Sequence, residues 1–412
     1  MIALLLAALY TNTERVAGAL ARPGVLWAAT AGGIEQYELP GGARTRLFTT
    51  ADGLDSNEVL RMWHEGALQA RTPRSVCTLT SGDVFTCTPA APLPPPAPAV
   101  AVLHQGARET ARLIQGGQQI IATDGAGLWL DGRRITPEGQ VCANHVEALA
   151  GFRGALWVGT FDAGICVRES GRFRAIAAPF RMVNDLRATP QGLWVAAAEG
   201  LYLTTDGRTF RRQAQVRERG VNRIAVSRRW VFVTTPSVLY AIRRDKPSVF
   251  RRWTRPAGST ALQAVAVSGR NVWLASEDAG VIRMRHGRFQ VFDRASGLPS
   301  SWAIDVAAGP DGGVWVATLR DGAFRLGEDG RLRQPAADAR AWGLRLYLDG
   351  ASLLFGTQHG IEGWTAPLPD PRVHGFLRTH EGLWVATEGG LALLAAPRLR
   401  PAGPALDDRG PR

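Results

Sequence analysis

One pattern repeats along this chain and dominates what it can fold into. An apolar strand carrying a Trp runs into a short turn closed by Gly, and a second apolar strand follows. Ala155-Leu156-Trp157-Val158-Gly159-Thr160 leads to Gly164-Ile165 in this way. Copies centre on Trp27, Trp194, Trp273, Trp315 and Trp384. Weaker copies place Gln69, Ile120, Val231 and Leu354 where the Trp would stand. That makes ten signatures, separated by intervals of 30 to 51 residues. A period near 40 marks an array of one supersecondary unit rather than a set of unrelated domains.

The unit itself is four strands. Between residues 142 and 179, alternating Asn144–Leu149 is a first strand and Leu156–Thr160 a second. Ile165–Arg168 is a third, and Phe173–Ile176 a fourth, with a Gly turn at Gly171. The second strand is apolar on both faces, as a strand covered from both sides must be. The fourth is richer in Arg, as an outer strand should be. Such units cannot bury both faces alone, so they stack radially into a β-propeller. The fold class expected is therefore all-β: a propeller of four-stranded blades over residues 1–396, in one ring of 8–10 blades. Two smaller propellers are the alternative.

Closure follows from the ends. The last repeat, at Val373–Leu377, Leu383–Thr387 and Leu391–Leu394, lacks a fourth strand. The apolar segment after Met1 reads either as that strand or as a signal peptide, and we take the strand. Nine apolar residues cannot span a bilayer, which takes about 20. Two segments leave the repeat: a Pro-rich loop over 90–99, and a tail over 397–412 whose composition predicts disorder.

Net charge is +12, but among 48 basic side chains Lys246 is the single Lys. A composition bias toward Arg explains that, so the charge is no argument for nucleic acid. No nucleophile, paired-carboxylate or zinc spacing stands out, and neither catalytic residues, a metal nor a cofactor is expected. The turn Thr204–Phe210 is similar to the Asp-box of sialidase-type propellers but one residue short, and such boxes are structural. Cys77 and Cys87 flank a hairpin turn at Ser81-Gly82-Asp83, and Cys142 and Cys166 share one repeat. They read either as two disulfides, implying an oxidising compartment, or as free thiols.

Two binding surfaces are candidates. Asn57, Asn144, Asn184, Asn222, Trp302 and Trp342 stand near the entries of first strands, at one mouth of the expected channel. The carboxylates Asp124, Asp162, Glu199, Asp278, Asp321 and Glu388 lie in turns reaching the same face. Polar groups with an aromatic or two suit a small polar ligand; the competing explanation is turn geometry. The second surface is a basic stretch including Arg211, Arg212, Arg228, Arg229, Arg243 and Arg244. It suits an anionic partner or is simply a solvated face.

The repeats resemble the two-component regulator propeller family. Phe48-Thr49-Thr50-Ala51-Asp52-Gly53-Leu54-Asp55-Ser56-Asn57-Glu58-Val59 carries the resemblance. So does the stretch from Phe292 through Val306, followed by Gly313-Val314-Trp315-Val316-Ala317-Thr318. The resemblance implies a non-enzymatic sensing or binding propeller of a bacterial regulator, exported to the periplasm or cytoplasmic. It would act as a monomer or within a signalling complex. Family members typically continue into a membrane helix and an output domain; this sequence carries neither a kinase nucleotide loop nor such a domain, and no membrane span. The expected partner is a small polar ligand or a protein. A protein-interaction scaffold using the Arg-rich face, or a glycan-active propeller, are the other functions weighed.

Overall fold

A computed structural model describes residues 5–94, 101–334, 342–349, 352–365 and 367–395. Within these residues the chain forms ten antiparallel sheets, eight of them four-stranded, one five-stranded and one three-stranded. The propeller of four-stranded units expected from the repeats is the observed fold. Residues 95–99 of the Pro-rich loop, and the whole tail 397–412, lie outside the described residues.

The repeat is explained by two local devices. The second strand of a unit ends in Thr, whose hydroxyl donates to a carbonyl just past the turn. Thr30 to Gly33 (2.7 Å), Thr160 to Gly164 (3.0 Å), Thr318 to Gly322 (2.8 Å) and Thr387 to Gly390 (2.9 Å) are examples. Gly390 takes φ 134°, and a Cβ there would lie 2.4 Å from the carbonyl oxygen of Tyr10, so that turn needs Gly. The second device is a β-bulge near the start of the first strand. It leaves one extra residue unpaired in six units, at Glu147, Asn184, Gln263, Ile304, Leu344 and His374, while the unit starting at Arg223 pairs without one. A bulge re-aims the side chain it carries.

The units do not form one ring of eight to ten. Seven sheets close on themselves: blades 1 (residues 146–176), 2 (183–212), 3 (223–254), 4 (262–292), 5 (303–334), 6 (343–361) and 7 (373–395). Each first strand packs on the next, and that of blade 7 packs back on that of blade 1. The other three sheets, over 16–48, 61–89 and 103–134, form a separate open arc. The first arc sheet packs against both others: Tyr37 and Leu26 share a core with Ile120 and Leu128, and Ile34 and Phe48 share one with Leu68 and Phe85. The repeat signature specifies a sheet with two faces to cover, not which sheets cover them.

The expected closure is present. Leu5–Tyr10 is a strand pairing antiparallel with Gly390–Ala395, Leu5 opposite Ala395 and Tyr10 opposite Leu391. It completes blade 7 as the fourth strand. The repeated Trp residues sit between blades, as expected. Trp384 of blade 7 packs with Leu149, Val158 and Phe173 of blade 1, Trp194 with Val231 and Tyr240 of blade 3, and Trp273 with Val306 and Val314 of blade 5. Trp194, Trp273 and Trp384 are fully buried.

The chain leaves the ring after Tyr10 and returns before Val146, and the two crossing segments hold each other. Asn144 Oδ1 accepts from the Asn12 backbone N–H at 2.6 Å, and Asn144 Nδ2 donates to the carbonyls of Asn12 (3.0 Å) and Ala31 (2.8 Å). Asn12 Nδ2 donates to the Val141 carbonyl, and Gln140 accepts from the Thr13 backbone N–H. We call this double crossing the neck. Beneath it Glu35 is fully buried, with Thr13, Tyr37 and Arg44 donating to it. Both Cys pairs are disulfides: Cys77–Cys87 in the second arc sheet, with Cα atoms 3.9 Å apart, and Cys142–Cys166, tying the neck to blade 1.

Candidate ligand-binding cleft

Strand entries and the turns between second and third strands lie on one face of each unit. At the neck that face of the ring turns toward the same face of the arc. A cleft of about 860 Å³ lies between them. The neck contributes Glu14 and Arg15, the arc Asn57, Glu58 and Arg74, and the ring His145, Asp162, Arg181, Arg372 and Glu388. The lining is mixed in charge and mostly polar. Asp370 holds Arg372, accepting from its Nε at 2.9 Å, and Arg372 also pairs with Glu388.

Two sequence candidates line this cleft and four do not. Asn57 is 1% exposed. Its Oδ1 accepts from the Thr50 backbone N–H at 2.8 Å, while its Nδ2 has no hydrogen-bond partner among the described residues. Asn144 also lines the cleft, but its amide is consumed by the neck. Asn184, the bulge residue of blade 2, donates to the Val221 carbonyl, and Asn222 to the Leu262 carbonyl. Each ties its blade to the next. Trp302 and Trp342 are the residues immediately before the first strands of blades 5 and 6. Trp302 is 47% exposed, and the Arg320 guanidinium lies 5.1 Å from the Trp342 ring centre. All six stand near first-strand entries in the sequence; the register separates them. Asn57 precedes its strand by four residues, Asn144 by two, Asn222 and the Trp pair by one, and Asn184 lies inside the strand, at the bulge. Of the turn carboxylates, Asp162 and Glu388 reach the cleft.

Sequence reading missed the groups that meet inside the ring beside the cleft. Where blade 7 closes on blade 1, the bulge residues Glu147 and His374 converge, with His145 and Glu388 at the rim. His145 Nε2 lies 2.8 Å from Glu147 Oε1, His374 Nδ1 3.6 Å from Glu147 Oε2, and His374 Nε2 3.3 Å from Glu388 Oε1. The His145 ring stacks on Phe161 with centres 4.7 Å apart. Burial alone would raise the Glu147 carboxyl. The His145 hydrogen bond and the charges of His374 and Arg223 outweigh it and bring it down to about 2. Burial opposes charge on His145, but Glu147, Glu388 and Asp162 raise that imidazole above its ordinary value. Glu388 is likewise lowered, burial being overcome by His374 and Arg372.

Deeper in, a second charged group crosses the ring. Arg345 of blade 6 reaches Asp185 of blade 2 (3.4 Å) and Asp305 of blade 5 (3.8 Å). Asp185 also accepts from the Ile224 backbone N–H at 2.9 Å. Burial would raise its carboxyl, but Arg187, Arg345 and Arg223 outweigh that, and it lies below the usual carboxylate range. The sequence signal for these groups existed: Glu147, Asp185, Asp305 and His374 are charged or titratable side chains at the entry of otherwise apolar first strands.

The basic stretch divides. Arg211, Arg212, Arg228 and Arg229 are exposed. Arg243 is spent on Asp245 (2.8 and 2.6 Å), and Arg244 donates to Gln191 and to the Ser227 and Arg228 carbonyls. Those turns lie on the face opposite the cleft. The Asp-box-like turn is structural, as expected: Asp206 accepts from the backbone of Arg208 and Thr209 and from the Thr204 hydroxyl.

No family model matches this sequence, and no curated protein does. Solved structures do. One is named as the extracellular domain of the hybrid two-component system BT3049 of B. thetaiotaomicron. It is 14% identical with a TM-score of 0.52, over 93% of this chain and 62% of that one. Another, from the same organism, is named as the extracellular domain of the hybrid two-component system BT4673. It is 12% identical with a TM-score of 0.52, over 96% of this chain and 60% of that one. This chain therefore spans about three fifths of the length of those domains. The likeness is one of fold, in keeping with the regulator-propeller resemblance of the repeats.

Proposed function

We propose that this chain is a non-enzymatic sensing propeller that binds a small polar ligand in the cleft between ring and arc. The carrying observation is Asn57: a buried amide in the cleft lining whose Nδ2 has no partner among the described residues. A buried donor without a partner costs about 1–3 kcal/mol, which a ligand acceptor would recover. The Arg and carboxylate side chains of the lining would orient charged groups of such a ligand. A ligand touching both bodies would also fix their relative position across the neck, as hinge closure does.

Two disulfides suit an oxidising compartment, and the neighbouring structures are named as extracellular domains. Both support placing this chain outside the cytoplasm. Among the described residues no helix is long and apolar enough to cross a membrane. Exposed Arg228 and Arg229 on the opposite face favour a protein contact there as a second use.

The test is a melting screen of sugars, uronic acids, amino acids and nucleotides. A true ligand raises the melting temperature of the native protein, and Arg74→Ala or Arg181→Ala abolishes that rise. Arg228→Ala, in a turn on the far side, leaves it intact. Ligands whose effect survives both cleft variants would overturn the assignment of the site.

A further inference from the structure

We propose that His145, His374 and Glu388 form a binding site for a Zn²⁺-class divalent metal at the inner wall of the cleft. This stands apart from the identity of the cleft ligand, since the metal alone is the occupant.

The geometry comes from ring closure. His374 and Glu147 are the unpaired bulge residues of the first strands of blades 7 and 1, which pack directly on each other. His145 comes one residue before the blade 1 strand, and Glu388 sits in the turn after the second strand of blade 7. One ligand atom each of His145, His374 and Glu388 lies within 4.8 Å of the others. The His145 and His374 rings have centres 5.2 Å apart. Metal–ligand bonds of about 2.1 Å in a tetrahedron put ligand atoms about 3.4 Å apart. The His374 Nε2 to Glu388 Oε1 distance is already 3.3 Å, so a small rotation of His145 completes a three-ligand set.

The surrounding groups are those such a site uses. Glu147 contacts one nitrogen of each imidazole, His145 Nε2 and His374 Nδ1, which leaves the other nitrogen of each ring free to ligate. A carboxylate behind a histidine fixes the tautomer and orients the ring. Glu388 meets Arg372 through its other oxygen, Oε2, and keeps Oε1 for the metal. Phe161 stacks on His145 with ring centres 4.7 Å apart. Two imidazoles and one carboxylate are a common zinc set that leaves a fourth position open. Here that position faces the cleft, because His145 and Glu388 both line it. An anionic group entering the cleft would therefore coordinate the metal directly.

The experiment is calorimetric titration of the intact, oxidised protein with ZnCl₂ in a non-coordinating buffer, with Co²⁺ as a spectroscopic probe. The expected result is one Zn²⁺ per chain, and intense visible bands of four-coordinate Co²⁺. His374→Ala and Glu388→Gln should each weaken binding 100-fold or more. Glu147→Gln should weaken it about 10–100-fold, the usual cost of losing an orienting carboxylate. Because His374→Ala alters packing at the closing blades, its circular dichroism is recorded alongside; the rim variant Glu388→Gln carries the conclusion if His374→Ala misfolds. Absence of binding to the native protein, or stoichiometric binding that both Glu388→Gln and His374→Ala leave unchanged, would overturn the site and place any metal on the exposed histidines instead. Neither result bears on the melting screen, which is run with chelator present.

Discussion

Ring and arc are built from the same unit and differ in what covers it. In the ring each sheet has a neighbour on both faces, and six of its seven first strands bury three or more residues: Val146–Phe152 buries four of seven and Leu262–Ser268 five of seven. In the arc the outer sheets have a neighbour on one face. Their first strands, Arg61–Glu65 and Ala107–Gln115, bury no side chain fully. Ile114 is 77% exposed and Leu103 65%. Closure, not the repeat, decides how much apolar area a blade removes from water, at about 25 cal/mol per Å².

The largest effect that would sharpen this contrast is removal of the closing strand. Deleting residues 1–10 strips the pairing from Gly390–Ala395 and the Tyr10 contacts with Trp384 and Phe173. It should cost more than about 4 kcal/mol, in the exceptional range for a local change, read as loss of cooperative melting. An unchanged melting temperature would break the closure argument. Next comes Trp384→Ala, between blades 7 and 1, at about 3–5 kcal/mol. Ile114→Ala in the arc should fall within about ±0.5 kcal/mol, as an exposed site does. Equal costs in urea unfolding would erase the difference between the two bodies.

The sequence made one half of this contrast legible. The Trp, Thr and Gly positions give the unit, and the missing fourth strand of the last repeat gives the closing role of Leu5–Tyr10. The number of blades in the ring was not legible, because Leu26–Thr30 and Leu383–Thr387 look alike although one belongs to the arc and the other to the ring. A signal did exist in retrospect. Gln69 and Ile120 replace Trp in the two outer arc sheets, and the 51-residue interval lies between them. For the site, Asn57 and Asn144 were readable as entry residues. Asn184 and Asn222 stand at first-strand entries as well, but on blades 2 and 3, where their amides bind the next blade instead of a cleft. The pairing of Glu147 with His374 depends on which blades meet, so it was invisible until closure was known.

A smaller effect concerns what holds the arc. Its second sheet is stapled by Cys77–Cys87, closing a loop with a sequence separation of 10. Cys77→Ser/Cys87→Ser should cost about 2–3 kcal/mol in the chain-entropy account, and should open the arc to protease before the ring. Cleavage that begins in the ring instead would show that the arc does not depend on its staple.

The smallest effect is in the ring interior and depends on pH. Asp185 has a folded pKa below its unfolded value of about 3.9. Its ionised form therefore contributes stability that is present above that unfolded value. The contribution is lost as pH falls through it toward the lower folded value. Urea midpoints followed downward from about pH 5 to pH 3 should fall less steeply in Asp185→Asn than in the native protein. Parallel curves would mean that the crossing from Arg345 to Asp185 adds no charge-dependent stability.

Excision of the arc tests the central claim most directly. The segments entering and leaving it already touch at Asn12 and Asn144, so a short Gly/Ser linker can replace residues 16–134. A closed ring of seven predicts a protein that still melts cooperatively, within a few degrees of the parent, with blade 1 still packed on blade 7. Loss of cooperative melting in the excised protein would mean that the three arc sheets belong to the closure itself, and that the seven-bladed ring is not a self-sufficient body.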